Sequence, residues 1–259
     1  MHVRIEDRGP VRHLTLDRPE ALNALSSELM SELQGVLDET AERRETRAVV
    51  LKGAGKGFCA GHDLREIEGG RQSADGGRAF FNALFAQCTR IMTTIPRMPQ
   101  PVIAEVHGIA TAAGCQLVAS CDMAVAAEGT RFGVNGVTIG LFCSTPMVAL
   151  SRNIGRKKTF ELLTTGDFLS AAEAEAHGLV NRVVPEAELG AEAEALAARV
   201  AEKLASAVRV GKRAFYEQAE MPLDQAYAHT GRVIAENLMQ PDTAEGIKAF
   251  LEKRPPAWD

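Results

Sequence analysis

No stretch of this chain is long enough and apolar enough to cross a bilayer as a helix; no run approaches the ~18 residues that would require. No basic segment followed by an apolar one opens it, so nothing reads as a secretory leader. Positive charge is not in excess either. Lys and Arg number 29 against 34 Asp and Glu, and a formal net charge of −5 gives no general attraction to nucleic acid or anionic membrane. The five cysteines, Cys59, Cys88, Cys115, Cys121 and Cys143, are odd in number and lack metal-ligand spacing. They lie in or beside apolar stretches, as buried free thiols of a reducing compartment do. Internal repeats and low-complexity tracts are absent. These absences predict a cytoplasmic globular protein with no metal, no nucleic-acid partner and no membrane partner.

What is present is 259 residues, 46% hydrophobic and 24% charged. That is an ordinary globular composition, and the length supports one large domain, or one domain with an appendage, without staples. The segments 3–8 and 11–16 alternate around Gly9-Pro10, which predicts a hairpin. Ser26 or Ser27 can cap a helix carrying Leu29, Leu33, Val36, Leu37 and Ala41 at helical spacing. A buried strand follows over 46–52, then a loop over 69–77. A helix over 78–95 should stop before Pro96. Strands alternating with helices argue for an α/β fold. Thr145-Pro146 reads as a helix start, and Ser170 with Glu173 as a capping box. Beyond Glu186 the pattern is helical. The composition shift suggests a core over 1–195 and a helical region over 196–259.

Two stretches carry the chemistry. In AEVHGIATAAGCQLVASCDMAVAA, residues 104–127, a strand passes through a turn of tiny side chains into a short apolar helix. Small residues at 110–114 allow close backbone approach, and a helix start offers unpaired N–H groups. The second stretch, 56–66, is another small-residue turn between a strand and a helix. Two such turns can aim two N–H groups at one developing oxyanion; a packed corner without a ligand is the alternative.

With these turns in place, four segments together resemble the crotonase superfamily, also called the enoyl-CoA hydratase/isomerase family. They are Arg18 to Leu25, Phe58 to Leu64, His107 to Asp122, and the tail Gly246 to Arg254. They span the chain in the family's order. The segments 112–122 and 140–146 are similar to a branch of enoyl-CoA hydratase domain-containing proteins. The resemblance implies a ββα spiral core, a C-terminal helical trimerisation region, an acyl-CoA or enoyl-CoA thioester as ligand, and a place in fatty acid metabolism as a lyase or isomerase. Coenzyme A enters as part of the substrate, and no separate cofactor is implied. The helical region, with Leu196, Val200, Leu204, Val208 and Phe215 at apolar positions, is expected to form a homotrimer or a dimer of trimers.

Carried over by motif, the thioester carbonyl belongs between the backbone N–H groups of His62 and Ala113. The family's two catalytic glutamates fall at Gln116 and Gly136. An amide cannot shuttle a proton at neutral pH, and glycine has no side chain. Efficient hydration is therefore not expected, and Gln116→Glu with Gly136→Glu should raise it. The resemblance implies backbone contacts to CoA at Ala24, Leu25 and Ala60, with Gly61, Asp63, Leu64, Gly114 and Asn135 around the substrate. Cys143 and Ser144 fall at the pocket floor, while Arg18, Phe250 and Lys253 could reach the adenine or phosphates. His62 could act as a base or stand at an exposed rim; His107 could simply bond backbone; Asp63 and Asp122 match structural caps. Glu66 and Glu68 sit on a helix face that walls the pocket or only meets solvent. Two functions stand side by side: a crotonase-fold enzyme of weak or altered activity, and a non-catalytic acyl-CoA-binding homologue.

Overall fold

The computed structural model of the protein describes residues 1–258. Its strands are β1 (Val3–Arg8), β2 (Val11–Leu16), β3 (Ala48–Gly53), β4 (Val102–Val106), β5 (Ile109–Thr111), β6 (Met123–Ala127), β7 (Arg131–Gly133), β8 (Phe168–Ser170) and β9 (Arg182–Val184). Its α-helices are α1 (Ser27–Glu42), α2 (Leu64–Gly70), α3 (Arg78–Arg97), α4 (Ala113–Ser120), α5 (Pro146–Asn153), α6 (Arg156–Thr165), α7 (Ala171–Ala176), α8 (Leu189–Ala201), α9 (Ala205–Ala219), α10 (Leu223–Leu238) and α11 (Pro241–Leu251). The α/β architecture with a helical C-terminal region matches the fold expected from the sequence.

The main sheet has the order β1-β2-β3-β4-β6-β9; β1 pairs antiparallel and the rest are parallel. Alternate residues of β3 serve two cores, as the period of two requires. Val49 and Leu51 join α1 and α3 in the larger core, through Leu29, Leu33, Ile91 and Ile95. Ala48 and Val50 face Leu189, Ala193 and Ala197 of α8 on the other side. A smaller sheet, β5-β7-β8, branches off after β4.

Local signals explain many boundaries. Ser26 Oγ accepts the Leu29 N–H and starts α1, and Ser170 with Glu173 forms the capping box of α7. Three expectations differ. Helix α3 runs through Pro96 to Arg97, because so near a C-terminus the ring removes one ladder bond and packing of Ile91 and Ile95 outweighs it. The sequence over 132–139 reads as a short strand or extended segment, but β7 stops at Gly133 and the chain winds into a 3₁₀ turn over Asn135–Ile139. The boundary placed after residue 195 falls inside α8, one continuous helix whose Leu196 and Ala197 are buried on the sheet with Leu189 and Ala193. Burial of that face makes α8 part of the core, so the outlying helices begin at α9.

Candidate functional site

The two small-residue turns are strung beside one another by backbone bonds. Phe58 donates its N–H to the His107 carbonyl (3.0 Å) and Cys59 to the Ile109 carbonyl (3.1 Å), while Thr111 donates back to Cys59 (3.0 Å). Asn23, fully buried, ties the preceding loop to them: its Nδ2 donates to the carbonyls of Ala54 and Gly57, both at 2.8 Å, and its Oδ1 accepts the Arg18 N–H. The sequence reading gave Asn23 no role; an Asn set between apolar residues was the available signal, and in the structure it takes a left-handed conformation (φ 55).

At the junction, Gly61 (φ 92) faces the start of α4, and a Cβ there would stand 3.0 Å from Ala112 Cβ and 3.4 Å from the Ala113 nitrogen. Ala112 itself has φ 50 and ψ −119, a conformation costly for any side chain. That strain sets the plane of the peptide that carries the Ala113 N–H. Among the described residues, neither the His62 N–H nor the Ala113 N–H finds a protein acceptor.

The His62 imidazole does not stand at an exposed rim. It packs edge-on against Phe85 with ring centroids 5.3 Å apart, and both ring nitrogens are buried without a hydrogen-bond partner. Burial pushes its pKa below the ordinary value, opposed weakly by the Leu25 backbone and the Glu66 charge. Burial thus disfavours the charged form of the ring. Glu66 faces α1, where its carboxylate accepts from Ser27 N–H (2.8 Å) and Oγ–H (2.9 Å). His107 Nε2 lies 2.9 Å from the Gly55 carbonyl oxygen, the backbone bond expected for it.

Gln116 is buried, at 4% exposure, and its Oε1 has no partner. Gly136 is more than an absent side chain. A Cβ there would collide with the Leu141 carbonyl oxygen and stand 2.8 Å from Cys143 Sγ. The Leu141 N–H donates to the Gly136 carbonyl at 2.9 Å and holds the 136–141 turn closed. Simple restoration of a glutamate at 136 is therefore corrected: the chain fills the space its side chain would leave through. Burial raises the Cys143 thiol pKa, which keeps it protonated. Ser144 is exposed and bonds only locally, so neither presents an activated nucleophile.

Several residues expected to meet CoA already have backbone partners. Leu25 donates to Gly61 (2.7 Å) and accepts from Asp63 (3.2 Å); Ala24 donates to Ala21 and accepts from Arg18. Ala60 donates to Leu22 (3.0 Å), and among the described residues its carbonyl accepts nothing. Arg18 is not free for phosphate. Its guanidinium binds Asp63 Oδ2 (3.0 Å) and the Ala24 carbonyl (2.8 Å). Asp63 caps α2 through the Arg65 N–H, and Arg18 with these N–H groups holds its pKa down despite some burial. Leu64 opens that helix and is exposed; Asn135 Oδ1 accepts from Thr111 Oγ (2.7 Å). Gly114 lets α4 begin directly against Cys59, whose carbonyl a Cβ would strike. Phe250 on α11 and Lys253 beyond it stand on the outlying helical layer rather than in the turns.

A cleft of about 700 Å³ lies between α3, α4, α5 and α9, and Gln116 is among the residues that line it. Beside it, Lys212 of α9 donates to the carbonyls of Ile95 and Gln100 and to Asp122 Oδ2, while Tyr216 donates to Asp122 Oδ1. Asp122 also accepts the Val102 N–H, so it is structural as expected. Lys212 is the second residue that sequence reasoning missed; a lone lysine in an amphipathic helix gives no sign of burial.

Paired strand-to-helix turns, bare N–H donors and a helical C-terminal layer define the class. The family model for enoyl-CoA hydratase/isomerase matches residues 6–259, and the chain belongs to that family. It is 42% identical over 248 residues to the human enoyl-CoA hydratase domain-containing protein 3, mitochondrial, across 96% of this chain and 80% of the relative. A frog relative of the same name, from Xenopus laevis, is 43% identical over 254 residues, covering 98% and 85%. Among solved structures, an enoyl-CoA hydratase of Mycobacterium smegmatis superposes with a TM-score of 0.95 at 50% identity, covering 100% of this chain and 99% of its own. The human domain-containing protein 3 superposes with a TM-score of 0.95 at 41% identity, over the whole of both chains.

These relatives correct the cytoplasmic expectation, because the frog, rat and human proteins are named as mitochondrial. Charge balance and lack of long apolar runs are the same in any aqueous compartment, so they could not discriminate. Among the described residues no helix is long and apolar enough to cross a membrane.

Proposed function

We propose that the protein binds acyl-CoA and enoyl-CoA thioesters, holding the carbonyl oxygen between the N–H groups of His62 and Ala113, and that it is a slow enzyme of its family. The observation that carries this is the pair of unpartnered N–H groups at abutting turns, one of them set by the strained Ala112. Two fixed donors stabilise an oxygen that gains charge as the enolate forms. Water addition also needs an aimed water and a proton donor for the α-carbon. Gln116 cannot titrate, and the closed Gly136 turn leaves no carboxylate opposite it. Loss of a positioned acid or base costs on the order of 10² to 10⁴ in rate for each role. Crotonyl-CoA hydration should thus be far below that of a two-glutamate relative. A rate of about 10² per second or more would overturn the reading.

The closure at Gly136 also favours a second reading, a non-catalytic acyl-CoA binder. Calorimetry paired with mass spectrometry over a panel of thioesters separates the two. Binding with no product from any thioester supports the second; slow product supports the first. The outlying helices expose Phe215, Leu223, Tyr227, Ile234 and Phe250. Such a surface supports assembly as a homotrimer or a dimer of trimers, and a monomer in light scattering at micromolar concentration would contradict it.

A further inference from the structure

His62 is a titratable side chain at the junction of the two turns, and it makes no hydrogen bond among the described residues: both ring nitrogens are buried without a partner. A buried polar group left unpaired costs stability, and a reaction in which it takes part is one reason for it to persist. The neighbouring candidates are occupied. Glu66 spends its carboxylate on Ser27, Asp63 on Arg18 and the Arg65 N–H, and His107 on the Gly55 carbonyl. Burial keeps the thiols of Cys59, Cys115 and Cys143 protonated, and the Gln116 amide does not titrate. We infer that the His62 imidazole is the base that takes a proton from the α-carbon of a bound acyl-CoA thioester, so that the protein exchanges α-hydrogens even where it adds no water. The inference rests on the thioester-binding reading above.

Covalent geometry supplies the reach. The ring nitrogens of a histidine stand within about 6 Å of its own main-chain nitrogen. The proposed carbonyl oxygen sits about 2.9 Å from that nitrogen, and the α-carbon is two bonds from the oxygen. One residue thus offers both the N–H that holds the oxygen and a lone pair within range of the α-hydrogen. The Leu25 main chain favours a proton on the ring, and an uncharged ring keeps a lone pair on its other nitrogen. Phe85 of α3 fixes the ring edge-on. In the step, the α-carbon–hydrogen bond breaks, the proton passes to the free ring nitrogen, and the electron pair moves onto the carbonyl oxygen. The N–H groups of His62 and Ala113 hold the resulting enolate. The imidazolium then returns a solvent-exchanged proton to the same carbon, and the thioester is unchanged overall. The charges beside the ring are Glu66 of α2, which favours the imidazolium, and the paired Arg18 and Asp63. Helix α3 meets it with Phe85, and α4 carries no titratable side chain but Cys115.

The test is hydrogen exchange in D2O, read by mass spectrometry of butyryl-CoA incubated with the full chain, beside calorimetry of butyryl-CoA binding. Butyryl-CoA has no double bond, so exchange is read apart from water addition. The wild-type protein should incorporate deuterium at the α-carbon about 10²-fold faster than a protein-free control, or more, as a positioned base does. Its rate should fall as pH drops through a midpoint below about 6.5, because burial disfavours the imidazolium. His62→Gln and His62→Ala keep the main-chain N–H. They should lower exchange about 10²-fold while binding butyryl-CoA within about threefold of wild type; circular dichroism checks that each is folded. Added imidazole should restore exchange by His62→Ala about tenfold, which a ring that only packs would not allow. Glu66→Gln should leave exchange within about threefold of wild type. Wild-type exchange by both folded histidine variants would overturn the assignment, and so would an equal loss in Glu66→Gln. Butyryl-CoA that binds to the wild type without exchanging would overturn the base while leaving thioester binding intact. No binding of butyryl-CoA would sink the underlying reading as well.

Discussion

The carbonyl oxygen of Leu141 occupies the space next to the Gly136 Cα from which any side chain would have to leave. The two residues are tied by the Leu141 N–H donating to the Gly136 carbonyl. The position to which the motif resemblance assigns the second carboxylate is thereby closed. Gly136→Glu should lower stability by about 1–3 kcal/mol or more through overpacking and should not raise crotonyl-CoA hydration, alone or with Gln116→Glu. A spectrophotometric hydration assay with a thermal melt reads both; a stable double variant with increased rate would show that the 141–143 segment yields.

Gly114 carries the same kind of constraint toward Cys59. Gly114→Ala pushes a methyl into the Cys59 carbonyl, which itself accepts the Thr111 N–H. The expected result is a loss of folding stability, not a selective block of ligand binding. A thermal melt within 1 °C of wild type would contradict the close approach.

Ala112→Gly should stabilise. The φ 50, ψ −119 conformation costs a side chain about 1–3 kcal/mol, against 0.5–1 kcal/mol for glycine's extra unfolded-state freedom. A net gain near 1 kcal/mol raises Tm by roughly 2–4 °C in a chain of this size. A lowered Tm would mean that the lost methyl contact outweighs the relieved strain.

His62 and His13 are both held below the ordinary histidine pKa, chiefly by burial, with His13 partly compensated by Glu194. The unfolded chain therefore takes up protons near pH 6.5 that the folded protein refuses. Stability is full above that pH and is lost as pH falls through it toward the folded values. Calorimetric Tm should be level from pH 8 to 7 and decline from 6.5 to 5.5. His62→Phe should make the decline shallower without abolishing it, since His13 remains. A flat wild-type Tm down to pH 5.5 would refute this.

Lys212→Met tests how α9 is attached. The ammonium is buried, with Asp122 and two main-chain carbonyls around it. Removing one partner of a buried pair costs about 3–5 kcal/mol; the Tyr216 and Val102 donors that remain on Asp122 place this case near the lower end. Urea titration should show that loss, and a change below about 1 kcal/mol would mean that Lys212 does not hold the helix.

Sequence alone determined the hairpin, the strand–turn–helix at 102–120, a serine cap at 26 or 27, the capping box at Ser170, and the family. Each depends on neighbours in the chain or on motifs in order: alternation around Gly9-Pro10, tiny residues before a helix, a hydroxyl three residues ahead of the N–H it accepts. The absence of carboxylates at Gln116 and Gly136 was equally legible, since residue identity is all it requires. Tertiary structure decided the rest, because those facts involve atoms far apart in sequence. Whether α8 belongs to the core depends on the sheet face it covers. Whether Arg18 is free depends on Asp63, and whether His62 is exposed depends on Phe85 of α3. Whether position 136 could admit a side chain depends on where the Leu141 carbonyl turns. Periodicity marks which face of an element is apolar, but not what fills the space opposite it; that is fixed only when the elements pack.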